Sequence, residues 1–180
     1  MKFLTLSILT ATTLMAGNFT LESNDIEGQL TKVQEFNSFG CSGENKSPEL
    51  HWHDAPKGTK SFAITIYDPD APTGSGWWHW LVVNIPAKTT AIKSDASAEK
   101  ALPKGALETM TDYGTSSFGG ACPPKGDKAH EYMFTIYALD TDKLEVTDKS
   151  DSALVGYMIN SHTLQKTSLV SYYERVKKKK

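Results

Sequence analysis

The chain has 180 residues, of which 39% are hydrophobic and 22% charged, and this composition is typical of one folded domain rather than a disordered chain. Its formal net charge is −2 at pH 7, which argues against the strongly basic surface of a nucleic-acid-binding protein. The lysine run at residues 177–180 is the exception, and we interpret it as a solvated tail. No nucleic-acid partner is expected.

The amino-terminal residues differ in character from the rest of the chain. Lys2 precedes an apolar run over residues 3–16, interrupted only by Thr and Ser, and small residues at its end lead into Asn18. This layout predicts a secretory signal peptide over residues 1–16, followed by a single domain over residues 17–180. The run is shorter than the roughly 20 residues of a transmembrane helix, so we expect a periplasmic or secreted protein without a transmembrane anchor.

Six segments after the amino-terminal run have the composition of β-strands. Three are short and follow one another at residues 19–21, 31–36 and 49–53. Three are longer, rich in aromatic and β-branched residues: residues 61–67 (SFAITIY), 77–85 (WWHWLVVNI) and 130–139 (HEYMFTIYAL). Proline and glycine flank the longer segments, as expected for strands that end in turns.

Helical patterning is confined to the carboxy-terminal part. Residues 150–158 and 163–177 lack proline, and the second segment spaces its apolar residues as one face of a helix would. The sequence therefore predicts a mainly β fold, an antiparallel β-sandwich with a few peripheral helices that include the carboxy-terminal ones.

Polar side chains lie in phase with the apolar residues at one end of each long strand. The second strand has His79 in phase with three apolar residues, Leu81, Val83 and Ile85. In the same way, Asp68 is in phase with the apolar residues of the first strand, and His130 and Tyr132 are in phase with those of the third. Because buried polar groups need partners, three such strand ends predict one shared polar pocket. The alternative is that each residue is satisfied separately by nearby backbone.

The chain has two cysteines, Cys41 and Cys122. In the oxidising compartment that an exported protein reaches, the two thiols can form a disulfide, and we favour that interpretation. Two buried free thiols are the alternative.

Two groups of motifs resemble a known family. The first group comprises NKSPEL at 45–50, DPDAP at 68–72 and WWHWLVVN at 77–84. The second comprises DYG at 112–114, GGACPPKG at 119–126 and HEY at 130–132. Their order and spacing, over about residues 36–173, are similar to those of phosphatidylethanolamine-binding proteins, in the bacterial Raf-kinase-inhibitor-like branch.

This resemblance implies a β-sandwich with a small anion-binding pocket. The pocket residues it implies are Asp68, Pro72, His79, Gly120, Cys122, His130 and Tyr132. The two histidines would donate hydrogen bonds to phosphate or carboxylate oxygens, and Asp68 would fix the tautomer of one imidazole. Backbone N–H groups at Gly120 would approach the anion closely.

The chain also departs from the family pattern. Glu131 follows His130 where the family usually has arginine, which removes a cation near the pocket mouth. Cys122 stands where eukaryotic relatives have glycine, and residues 73–76 lack the tyrosine that some of them carry. A disulfide from Cys41 to Cys122 would then close one side of the pocket.

We expect an exported binding protein for a small anionic ligand: phosphate, phosphoethanolamine or a carboxylate. No cofactor and no metal are expected. The alternative is a regulator that inhibits a peptidase or another enzyme through contact with that protein partner. A hydrolase or isomerase with His79, His130 and Asp68 as acid and base is less favoured, since no activated nucleophile accompanies them. The oligomeric state stays open, with a homodimer as one option.

Two sets of side chains are candidate metal sites. His51 and His53 lie on one strand face. We interpret that face as a solvated surface rather than a metal site, because no third ligand accompanies the two histidines. Asp68, His79 and His130 form the other candidate, a two-histidine, one-carboxylate set, and it ranks below anion binding.

Overall fold

The computed structural model describes residues 18–177, which form two antiparallel sheets and one helix. A small sheet has the order β1 (Thr20–Glu22), β2 (Leu50–His53), β5 (Ala91–Ile92). A large sheet has the order β6 (Leu107–Glu108), β4 (Trp77–Pro86), β3 (Ser61–Asp68), β7 (His130–Leu139), β8 (Thr163–Tyr173). Helix α1 (Ser152–His162) lies in the chain between the last two strands. The predicted mainly β fold with antiparallel sheets is confirmed.

The main core lies between the two sheets. The small sheet contributes four large buried side chains, Leu21, Leu50, Trp52 and Ile92. The large sheet contributes alternate residues of its three central strands, among them Phe62, Ile64, Ile66, Val82, Phe134 and Ile136. Period-two alternation explains this set on β3 and β7, because every second side chain points to the same face.

A second apolar cluster, here called the helix-side core, covers the opposite face of the large sheet. It contains Ala63, Leu81, Val83 and Leu139 from the sheet and Val155 and Ile159 from α1. The helix begins at its N-cap Asp151, whose carboxylate accepts a 2.9 Å hydrogen bond from the Leu154 N–H. The three central strands of the large sheet, β4, β3 and β7, are therefore buried on both faces.

Two predicted elements are wrong. Residues 163–177 do not form a helix, because Thr163–Tyr173 is strand β8, which pairs with β7 along the length of that strand. Cross-strand pairing with a long buried neighbour outweighs the weak local preference for helix in this segment. Residues 31–36 form turns with one isolated bridge, Glu35 to Ala121, rather than a strand. The predicted helix at residues 150–158 corresponds to α1.

Strand β4 contains an irregularity next to His79. Ile66 pairs with Trp80 but Tyr67 pairs with Trp78, so His79 is an extra residue without a cross-strand partner. A bulge of this kind shifts the alternation of side chains. The predicted common face of His79 with Leu81 and Val83 is therefore wrong: both apolar residues belong to the helix-side core, whereas His79 turns to the other side.

Within residues 18–177, no helix combines the length and apolar character needed to cross a membrane. The predicted signal peptide at residues 1–16 lies outside the described residues.

Candidate functional site

A cavity of about 190 Å³ opens where three strands of the large sheet meet. Because β3 runs antiparallel to both β4 and β7, its last residue lies beside the first residues of those neighbours. Three of the side chains that line the cavity are polar and deeply buried: Asp68, His79 and His130. The rest of the lining consists of Phe39, Ala71, Pro72, Thr73, Trp77, Tyr113, Cys122, Pro123 and Pro124.

Asp68 and His130 form a buried pair on the cavity floor. Asp68 Oδ2 lies 2.8 Å from His130 Nδ1, and Asp68 Oδ1 accepts a 2.8 Å hydrogen bond from the Asp70 N–H. The second ring nitrogen of His130 lies 3.4 Å from the Asp127 carboxylate. Asp68 thus fixes the orientation of the His130 ring, the positioning role predicted for it.

Asp70 extends this network to the surface. Its carboxylate accepts a hydrogen bond from the Glu131 N–H at 2.9 Å and pairs with Lys128 at 2.5 Å. The Lys128 ammonium holds the pKa of Asp70 below its usual value, with the Glu131 N–H as the next cause. These contacts fix the start of β7, while the Glu131 side chain does not line the cavity.

His79 is held by two hydrogen bonds to one glycine. Its Nδ1 lies 2.7 Å from the Gly119 carbonyl oxygen, and the Gly119 N–H donates to the His79 carbonyl at 3.0 Å. Burial lowers the pKa of His79, and the Gly119 carbonyl and the Asp68 carboxylate offset part of that effect. His79 Nε2 has no hydrogen-bond partner among the described residues.

Tyr132 lies behind the cavity rather than in its lining. Its ring is 5.2 Å from the His79 ring, edge-on, and its hydroxyl is buried without a hydrogen-bond partner in the described part of the chain. Burial raises the pKa of Tyr132, and the nearby Asp68 carboxylate raises it further, so the phenol stays protonated. Trp77 Nε1 is a second buried donor left without a partner.

Gly120 does not have the role predicted for it. Its N–H donates a 2.7 Å hydrogen bond to Asn45 Oδ1, and its carbonyl accepts one of 2.8 Å from the Tyr113 hydroxyl. A Cβ at this position would lie 2.1 Å from the Gln34 carbonyl oxygen. The residue must be glycine because two backbone segments touch there, and its N–H is not directed at a bound anion.

The predicted disulfide is present and forms part of the cavity wall. Cys41 and Cys122 are bonded, with their Cα atoms 6.0 Å apart. Arg175 donates hydrogen bonds to the Gly40 carbonyl at 2.6 Å and to the Pro123 carbonyl at 3.1 Å. Together these links hold the loop that carries Phe39 against the loop that carries Pro123.

An aromatic wall, formed by Phe39, Trp77 and Tyr113, was not fully anticipated from the sequence. The Tyr113 ring lies 5.7 Å from Phe39 and 5.3 Å from Trp77. The tyrosine belongs to the DYG motif, but that motif gave no sign that its ring lines the site. The position of Phe39 could have been found from the disulfide, because a bond between Cys41 and Cys122 brings residue 39 to the cavity.

The other histidines considered as metal ligands are engaged elsewhere. His51 contacts the carboxylates of Glu22 and Glu49, and His53 contacts Asp54, on the solvent side of β2. In the described part of the chain, no group of three or more His, Cys, Asp or Glu side chains is arranged to hold a metal ion.

Comparison with known proteins connects this geometry to one family. The family model for phosphatidylethanolamine-binding protein matches residues 24–174. The Escherichia coli (strain K12) protein YbcL is 52% identical over 163 residues, which cover 88% of this chain and 89% of that protein. The E. coli (strain K12) protein YbhB is 46% identical over 156 residues, with coverage of 85% and 98%.

Solved structures agree with this relationship. The crystal structure of E. coli YbcL, described as a new member of the mammalian PEBP family, superposes with a TM-score of 0.85 and covers 87% of this chain and 98% of that one. A phosphatidylethanolamine-binding protein homolog of Chlamydia trachomatis is 24% identical, covers 87% and 97% of the two chains, and has a TM-score of 0.73. At that identity, the second likeness concerns the fold alone.

Proposed function

The chain belongs to the phosphatidylethanolamine-binding protein family, and from that premise we propose that it is an exported protein that captures a phosphate or carboxylate group in the cavity beside His79 and His130. The family is one of binding proteins, in agreement with the predicted non-enzymatic function. The observation that carries the proposal is the convergence of buried polar side chains from three strands on one small cavity.

The size of the cavity favours a small group. Binding sites for drug-sized molecules usually enclose about 300–1,000 Å³, whereas this cavity encloses about 190 Å³. A phosphate or a short headgroup matches that space, and acyl chains do not. Apolar side chains form most of the lining, so a bound group is removed from water and its few polar contacts become stronger.

Calorimetric titration tests this function directly. We expect phosphate and phosphoethanolamine to bind at pH 6, to bind more weakly at pH 8, and to lose binding in His79→Ala and His130→Ala. His53→Ala is the matched control, because this exposed histidine pairs with Asp54 and does not line the cavity. A folded wild-type protein that binds neither compound would disprove anion capture.

Two features of the chain support the proposal that it is exported. Residues 1–16 have the pattern of a signal peptide, and the Cys41–Cys122 disulfide is of a kind that persists in oxidising compartments. Expression with and without residues 1–16, followed by cell fractionation, tests the proposal. We expect periplasmic or secreted protein only when the segment is present, and equal distribution of both forms would contradict it.

Contact with a partner enzyme is the second candidate function. The Phe39 ring lies at the cavity with 69% of its surface exposed, and exposed aromatic side chains are enriched where proteins bind one another. We would measure inhibition of exported peptidases by the wild type and by Phe39→Ser. Inhibition that is lost in the variant supports this function, and absence of inhibition in the wild type excludes it for the peptidases assayed.

A further inference from the structure

Two buried polar atoms of cavity-lining residues lack hydrogen-bond partners among residues 18–177. They are Nε2 of His79 and Nε1 of Trp77. A buried polar group left unsatisfied destabilises the free protein. The two atoms therefore define hydrogen bonds that a ligand in the cavity can supply.

The two atoms do not offer the same kind of hydrogen bond. The Trp77 indole can only donate. His79 differs because its Nδ1 faces the Gly119 carbonyl at 2.7 Å. A carbonyl oxygen only accepts, so Nδ1 carries the proton and Nε2 of the neutral ring is an acceptor.

The surroundings of His79 keep the ring neutral while the cavity is empty. Titratable groups face it from every neighbouring element: Asp68 from β3, His130 and Tyr132 from β7, and Asp112 and Tyr113 from the loop before Gly119. The carboxylates favour protonation, but burial of the whole ring outweighs them. Among the described residues, no lysine or arginine side chain lines the cavity.

We propose that the cavity selects oxyanions that carry an acidic proton, and that it therefore binds phosphomonoesters in preference to phosphodiesters. This inference deepens the proposed function and rests on it. The P–OH group of a phosphomonoester monoanion donates to His79 Nε2, while Trp77 Nε1 donates to another of its oxygens. One proton is then shared between the ligand and the ring, and none is taken from solvent.

A phosphodiester has one negative charge and no such proton. To form the same contacts, the complex must take a proton from solvent onto His79 Nε2, which burial opposes. Intact phospholipids are phosphodiesters, so the inference disfavours them as ligands relative to free phosphomonoesters such as phosphoethanolamine.

Methyl phosphate and dimethyl phosphate test the inference by calorimetry between pH 5 and pH 8. At pH 7 we expect the monoester to bind more tightly than the diester, because its monoanion already carries the proton that the buried His79 ring would otherwise have to take from solvent. Monoester affinity falls about tenfold per pH unit above pH 6, as the monoanion is depleted. Diester affinity rises as the pH falls towards 5, and the preference shrinks.

His79→Gln separates hydrogen bonding from size. A glutamine side chain can place its amide N–H₂ donor near the position of Nε2, so we expect the preference to disappear or reverse in this variant. If the second methyl group is excluded only by its size, the preference persists in His79→Gln and at pH 5, and the inference is overturned.

Two further outcomes are decisive. Equal binding of both ligands by the wild type at pH 7 overturns the inference and leaves anion capture intact, whereas no binding of either overturns both. ¹⁵N NMR of the free protein at pH 7 provides a test without any variant. We expect His79 Nδ1 to be protonated and Nε2 to be bare, and a proton on Nε2 would contradict the inference.

Discussion

Two residues of strand β4, His79 and Leu81, lie in surroundings of opposite character. Leu81 is fully buried in the helix-side core, where it packs among apolar side chains from α1 and the sheet. His79 is almost as deeply buried, yet one of its ring nitrogens has no partner among the described residues. A single bulge at His79 separates these two environments.

The two sides of the large sheet contribute to different properties: the helix-side core contributes to stability, and the cavity side provides polar groups for binding. The helix-side core is apolar, so burial of its side chains stabilises the fold. The cavity side keeps unpartnered polar groups, which destabilise the free protein and are available to a ligand. A disulfide and the hydrogen bonds of Arg175, rather than apolar packing alone, hold that side together.

Removal of the disulfide should have the largest effect on the cavity side. Replacing both cysteines, Cys41→Ser with Cys122→Ala, frees a loop of 81 residues, and the chain-entropy model gives a loss of about 4–5 kcal/mol in the free energy of unfolding. Urea unfolding of the variant and of the oxidised wild type measures it. A loss below about 1 kcal/mol would show that Arg175 and the surrounding contacts suffice.

On the helix side, Ile159→Ala should cost about 3 kcal/mol, because a buried isoleucine leaves a cavity when it is truncated. Ile159 is 1% exposed on α1. Tyr157→Ala on the same helix is the matched control; this residue is 69% exposed, and we expect a change of about 0.5 kcal/mol or less. Phosphate affinity should stay unchanged in both, and a weakened affinity in Ile159→Ala would show that the two sides are coupled.

The protonation of His79 should make stability depend on pH. Burial depresses the pKa of His79 in the folded protein below its ordinary 6.5, so below that pH the unfolded chain binds a proton that the folded protein does not. Stability therefore falls as the pH drops below about 6.5, with a slope of at most about 1.4 kcal/mol per pH unit from this residue.

Urea unfolding of the wild type and His79→Gln between pH 7.5 and pH 5 isolates this contribution, since the remaining histidines are common to both. The variant should show a flatter profile. Parallel profiles would mean that His79 has the same pKa in the folded and unfolded states, which contradicts the depressed pKa.

The smallest expected change concerns Tyr132. Tyr132→Phe removes a buried hydroxyl that has no partner among the described residues, so the free protein should be unchanged or more stable by up to about 1 kcal/mol. Phosphate affinity should change little, because Tyr132 lies behind the cavity rather than in its lining. A variant that is destabilised by more than 1 kcal/mol would indicate that the hydroxyl already has a partner, such as an ordered water.

Much of the site was accessible from the sequence. Alternation along β3 and β7 predicted that Asp68 and His130 lie at neighbouring strand ends, and the structure joins them at 2.8 Å. The same rule failed for β4, because it assumes an unbroken strand, while an extra residue at 79 changes the phase. His79 lines the cavity, as its position at a strand end suggested, although the face assigned to Leu81 was wrong.

The sequence by itself determined the long strands, the polar residues at their ends and the family. These properties depend on residue type and on spacing within one segment, which local alternation and motif order express. Tertiary structure decided that residues 163–173 form a strand, that His79 turns to the cavity and that the Gly120 N–H is engaged by Asn45. Each of these depends on a partner segment distant in sequence, whose contacts outweigh local preference.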